Sequence, residues 1–88
     1  MSVQPQAAIR TGLRAKQVQG RLVAVDLETG DYHVLNAVGA LIWQGMEKQQ
    51  NRQDIVRTIT SSFAVTTEKA ASDVDTFLDD LKSRGLVL

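Results

Sequence analysis

Residues 29–43, TGDYHVLNAVGALIW, hold a strand and a helix with almost nothing between them. Thr29-Gly30-Asp31 has the composition of a turn, and Tyr32-His33-Val34-Leu35 reads as a short strand. Asn36 is an N-cap residue type whose side chain can accept from the amide of Val38 or Gly39. From Val38 onward the chain is nearly continuously apolar. The apolar period changes here from 2 to 3.6, so the residues before Asn36 read as strand and those after it as helix. A strand set between a turn and a buried helix is held in register, which raises the question of what it is held for.

Upstream, Arg21–Leu27 is a β-rich run in which Val23, Val25 and Leu27 share one face. Gln19-Gly20 punctuates the chain before it, and Leu13, Ala15 and Val18 mark a first strand within Ile9–Val18. Both links are too short for a parallel crossover, so the three strands are antiparallel. Residues 1–8, with the only proline at Pro5, read as a flexible tail. Residues 9–88 form one domain.

Downstream, Val38, Leu41, Ile42, Gly45 and Met46 recur at helical spacing, with Trp43 alongside. Gly39 in mid-helix costs about 1 kcal/mol relative to alanine, which points to a bulky group passing close by. Glu47–Asn51 ends this helix. Asn51, with Asp54 three residues on, opens a second helix whose inner stripe is Ile55, Val56, Ile59 and Phe63. Thr66 or Thr67 caps a third, with Glu68 in its first turn, and Ala70, Val74, Phe77, Leu78 and Leu81 on one face. Arg84 lies in its last turn, Gly85 suits the C′ position, and Leu86-Val87-Leu88 can pack back or add a short strand. Strands followed by helices imply an α+β domain with helices over one sheet face. The predicted core is Leu35, Leu41, Ile42, Ile55, Ile59, Phe63, Val74, Phe77, Leu78 and Leu81.

A chain of 88 residues is one domain's worth, burying roughly 60–65% of its unfolded surface. The absence of cysteine excludes disulfides, a thiolate nucleophile and a cysteine zinc site, and favours the cytoplasm. Ten basic and ten acidic residues give a formal net charge of zero, without a strong pull toward nucleic acid or anionic lipid. The start, MSVQPQAAIRTG, has no apolar h-region, so it does not read as a signal peptide. No run approaches the length of a membrane span.

Catalytic constellations are scarce. His33 is the only histidine and has no cysteine or second histidine beside it, so it reads as a contact residue rather than a base or metal ligand. Asp73 and Asp80 share a face of the third helix, as do Asp75 and Asp79. Neither pair has chemistry around it, and a solvated acidic face is the better reading, with partner binding the main alternative. The glycines never cluster into a phosphate loop, and Trp43 and Phe63 sit among aliphatic residues as core. No enzymatic activity, metal or cofactor is expected. The alternative is a winged-helix DNA-binding regulator, with a late helix in the major groove. Residues 67–84 carry five acidic against three basic side chains, a formal net of minus two that phosphates would repel. Arg10, Arg14, Lys16 and Arg21 all precede the first acid, Asp26. A basic hairpin with an acidic helix suits a peptide or protein partner.

The segments VAVDLETGDYHVLNAVGALIW (23–43), DIVRTI (54–59) and DVDTFLDDLKSRGLV (73–87) together resemble the PqqD-like family. These are the RiPP recognition elements, small domains that hold the leader segments of ribosomally made peptides while partner enzymes modify the core. The resemblance implies a winged helix-turn-helix-like fold of three antiparallel strands followed by three helices. It implies a leader peptide docked as an added strand along the third strand, in a groove walled by the third helix, and presented to an enzyme such as a leader peptidase or radical enzyme. The form of the sequence resembles stand-alone recognition proteins of lasso-peptide and related pathways. The expected peptide-binding residues are then Asp31, Tyr32, His33, Val34 and Leu35 on the strand, and Asp73, Thr76, Phe77 and Asp80 on the helix. Neither nucleic acid nor membrane is an expected partner, and monomer and dimer both remain open.

Overall fold

The computed structural model describes residues 9–87; the predicted tail 1–8 lies outside them. Gln19 and Gly20 both have positive φ, 52° and 81°, the signature of a two-residue type I′ hairpin turn. They join β1 (Leu13–Val18) to β2 (Arg21–Asp26) with Val18 opposite Arg21. Five residues then lead to β3 (Tyr32–Leu35), antiparallel to β2, with Val23 opposite Val34. The sheet order is β1-β2-β3, which leaves β3 at an edge.

The β2–β3 turn is built on Asp26. Its carboxylate accepts from the amides of Glu28 (2.9 Å) and Thr29 (3.3 Å) and from the Arg10 guanidinium (2.6 Å). Asp26 is only 5% exposed, so its charge relies on those donors. The Glu28 amide, against the opposing effect of burial and with help from Arg10 and the Thr29 amide, holds this carboxyl below its usual value. A depressed folded-state value stabilises the fold at pH above the unfolded value and ceases to do so as pH falls through the folded one. The melting temperature of the wild-type protein should therefore drop below about pH 4. An Asp26→Asn variant should melt lower at neutral pH, and its deficit should shrink as the solution is acidified. A deficit constant from neutral to acid pH would show that the ionised carboxylate is not what stabilises the turn.

Three helices complete the chain: α1 (Ala37–Glu47), α2 (Arg52–Ser62) and α3 (Thr67–Ser83). Each begins on the side chain read as its cap. Asn36 accepts from Gly39 N–H, Asn51 from Asp54 N–H and Thr66 from Lys69 N–H. Arg84 is the C-cap of α3 and Gly85 comes next at φ 72°, a left-handed position suited to glycine. The helices cover one face of the sheet and enclose Leu22, Ala24, Leu35, Ile42, Trp43, Ile55, Ile59, Val74, Leu78 and Leu81. Three antiparallel strands followed by three helices make an α+β fold.

Two expectations are corrected. Leu41, Phe63 and Phe77 are half-buried rather than core, with Phe63 and Phe77 packed against its margin; Ile42 and Trp43 of α1 turn inward as expected, with Trp43 1% exposed. Strand β2 ends at Asp26, one residue early. Val23, Val25 and Leu27 do share a face, but it is the one turned away from the helices, and Leu27 is 60% exposed. The C-terminal residues pack back: Leu86 and Val87 are buried, and Val87 bridges to Ile9.

Candidate functional site

The backbone of β3 fixes what its open edge offers. Asp26 N–H donates to Asp31 C=O at 2.9 Å, and the register continues with Val25 opposite Tyr32. Hydrogen-bonded and non-hydrogen-bonded pairs alternate in an antiparallel ladder. His33 and Leu35 therefore bond to β2, whereas Tyr32 and Val34 turn their N–H and C=O groups outward. Their side chains lie on the outer sheet face, 73% and 59% exposed. Leu35 is buried under the helices and His33 is half-buried on that same side. Nδ1 of His33 lies 3.4 Å from Nη1 of Arg84, at the C-terminal end of α3.

No Cα of β3 comes within 8 Å of α3. Beside that gap lies a groove of about 330 Å³ between α1 and α3. Asn36, Val38 and Ile42 form one wall, and Asp73, Thr76, Phe77 and Asp80 the other. Val38, Ile42 and Phe77 supply an apolar floor. The acids at the rim are each partly occupied: Lys69 Nζ engages Oδ1 of Asp73 at 2.8 Å, and Arg84 engages Oδ2 of Asp80 at 3.1 Å. Asp75 lies on the other flank, in a two-pronged pair with Arg52 of α2 at 2.9 Å for both bonds. The Arg52 hydrogen bond holds the Asp75 carboxyl below its usual value, and the pair ties α3 to α2.

Of the nine residues expected to bind peptide, the structure brings Asp73, Thr76, Phe77 and Asp80 into one groove. Tyr32 and Val34 instead line a shallow depression on the opposite sheet face, about 750 Å³, with Val23, Val25 and Leu27 at its centre and Arg14 and Lys16 on its β1 side. Asp31 is exposed at the turn. Sequence reasoning missed the α1 wall of Asn36, Val38 and Ile42. Its one signal was Gly39, since a Cβ there would stand 2.8 Å from Cε1 of Phe77, and this close approach is what sets α1 against α3. Among the described residues there is no cluster of potential metal ligands, and no helix is long and apolar enough to cross a membrane.

Residues 21–87 match the family described as coenzyme PQQ synthesis protein D (PqqD). Two solved structures resemble most of the chain. One is TbiB1 in complex with the TbiA(beta) leader peptide: 28% identity, TM-score 0.81, covering 91% of this chain and 93% of that one. The other is a lasso peptide synthetase B1 complexed with the leader peptide: 26% identity, TM-score 0.85, covering 94% and 98%. No curated protein matches the chain by sequence.

Proposed function

Because the chain belongs to the PqqD family, we propose that it is a RiPP recognition element that binds the leader segment of a precursor peptide and presents it to a modifying enzyme. The observation that carries this reading is the free edge of β3, whose Tyr32 and Val34 main-chain groups point outward, with the α1–α3 groove beginning at Asn36, the residue that follows β3. A leader strand paired there gains sequence-tolerant main-chain hydrogen bonds. Its side chains alternate between the two faces of the enlarged sheet. One set meets the groove of Asp73, Thr76, Phe77 and Asp80, and the other lies beside Tyr32 and Val34. Both similar solved structures hold leader peptides, which supports the same ligand class and a lasso-peptide pathway here. The partner this reading calls for is a modifying enzyme such as a leader peptidase or radical enzyme. A DNA-binding role finds no support in α3, whose accessible surface carries Asp75, Asp79 and Asp80.

The test is fluorescence anisotropy with the labelled leader segment of a candidate precursor peptide. Saturable binding at one peptide per chain is expected; no binding would reject the reading. The second carboxylate oxygens of Asp73 and Asp80 are the proposed acceptors for a basic or hydroxyl-bearing leader residue. Asp73→Lys and Asp80→Lys should each weaken binding by roughly 1–3 kcal/mol, whereas Asp75→Lys should leave affinity intact and loosen the α2–α3 contact. Loss confined to the Asp75 variant would move the groove to the other flank.

A further inference from the structure

We infer that Gly39 is a specificity-determining position: it lets the Phe77 ring lie against the backbone of α1 and so keeps the α1–α3 groove open to a large apolar side chain of the bound peptide. This rests on the leader-binding reading and deepens it. Helix α1 holds two glycines whose added Cβ would collide with a neighbour, and they differ in what that neighbour can do. At Gly45 the Cβ would stand 2.7 Å from Cγ1 of Ile55, a fully buried side chain with nowhere to move. At Gly39 it would stand 2.8 Å from Cε1 and 3.3 Å from Cδ1 of Phe77, and 3.1 Å from Oδ1 of the capping Asn36. That ring is half-buried and forms part of the groove lining. The space open to a displaced ring is the groove, over Val38 and Ile42.

Gly39 has ordinary helical backbone, so alanine fits its dihedrals and is the better helix former. The glycine at 39 is therefore a concession of helix stability that a free groove explains. The floor of Val38, Ile42 and Phe77 is apolar, and Lys69 and Arg84 already balance the rim acids Asp73 and Asp80. The groove thus selects the body of the entering side chain by size and apolarity.

The experiment uses a fluorescein-labelled peptide selected on the wild-type protein from a displayed random pool. The selected peptide is expected to carry a large apolar residue whose replacement by alanine weakens binding. Gly39→Ala should stay folded yet bind at least about tenfold more weakly. The losses from Gly39→Ala and from the peptide's alanine replacement should be non-additive. Adding Phe77→Leu to Gly39→Ala removes the displaced ring edge and should restore affinity to within about threefold of wild type, a rescue that a purely structural role for Gly39 would not give. Phe77→Trp adds bulk to the groove without altering α1, and decides the matter if Gly39→Ala folds poorly. Unchanged affinity in folded Gly39→Ala, or in Phe77→Trp, overturns the inference while leaving peptide binding intact. Failure of the wild-type protein to bind any selected peptide overturns the leader-binding reading and the inference with it.

Discussion

Val34→Pro should abolish leader binding in a protein that still folds. The amide of Val34 faces the open edge of β3, so proline there removes nothing from the β2–β3 ladder. Proline is tolerated on strand edges where the missing N–H faces solvent, and it asks its predecessor, His33, for the extended backbone it already has. The Val34 side chain is 59% exposed, so its loss leaves little cavity. For an incoming strand the consequence is severe. Of the two outward amides in β3, one disappears and a pyrrolidine ring stands where the partner's carbonyl should approach. A loss of about a hundredfold or more, near 3 kcal/mol, is expected for a missing donor facing a buried acceptor. Anisotropy titration of the labelled leader measures it, and circular dichroism confirms the fold. His33→Pro is the informative contrast, because that amide bonds to β2 and its loss should damage the domain itself. Wild-type affinity in folded Val34→Pro would exclude strand addition along β3.

The second large effect falls on stability. Trp43→Ala empties the largest fully buried side-chain site and should cost about 3–5 kcal/mol. Trp43 packs with Ile42, Ile55, Ile59, Val74 and Leu81 in one cluster, and its Nε1–H donates to Glu47 at 3.2 Å. Small domains sit near the low end of a total stability of about 5–15 kcal/mol, so this truncation should remove most or all of the cooperative transition. Urea denaturation followed by circular dichroism checks it, since the variant lacks the chain's only tryptophan. Leu41→Ala is the comparison. Leu41 is half-buried and outside the cluster, and its truncation should cost clearly less. Equal losses would mean that the burial of Trp43 does not govern stability.

Much of the fold was legible in the sequence because the signals were local. The period change at Asn36, the three N-caps and Gly85 each act within a turn or two, and each marks a boundary where the structure has one. The spacing of Asp73, Thr76, Phe77 and Asp80 likewise obeys helical angles, which suffice to place them on one flank. What was hidden depends on contacts distant in sequence. By apolarity alone, Val23, Val25 and Leu27 outrank Leu22, Ala24 and Asp26, yet the second set faces the helices. The inversion is possible because Asp26 finds its donors in the adjoining turn and in Arg10, sixteen residues upstream. That partnership leaves no periodic trace. Leu41 was read as core beside Ile42 and Trp43, and its place at the margin depends on how α1 sits against the sheet. The α1 wall of the groove was hidden for the same reason: a glycine announces that something passes close, without saying what.

The contacts that join the two ends of the described chain bear on the order of folding. Arg10 N–H donates to Leu86 C=O at 3.0 Å, and its Nε–H donates to the carbonyl of Gly85, 75 residues away in sequence. The hairpin turn at Gln19-Gly20 and the helix caps, by contrast, close over a few residues. Closing a long loop before other contacts have formed is entropically costly, and distant pairings are slow to be made. The clasp between residues 9–10 and 85–87 therefore belongs to the last stage of folding, after the sheet and helices are in place. Interactions absent from the folding transition state lengthen the life of the native state without hastening its formation. Arg10 is thus expected to act as a latch, so that Arg10→Ala should speed unfolding more than it slows folding.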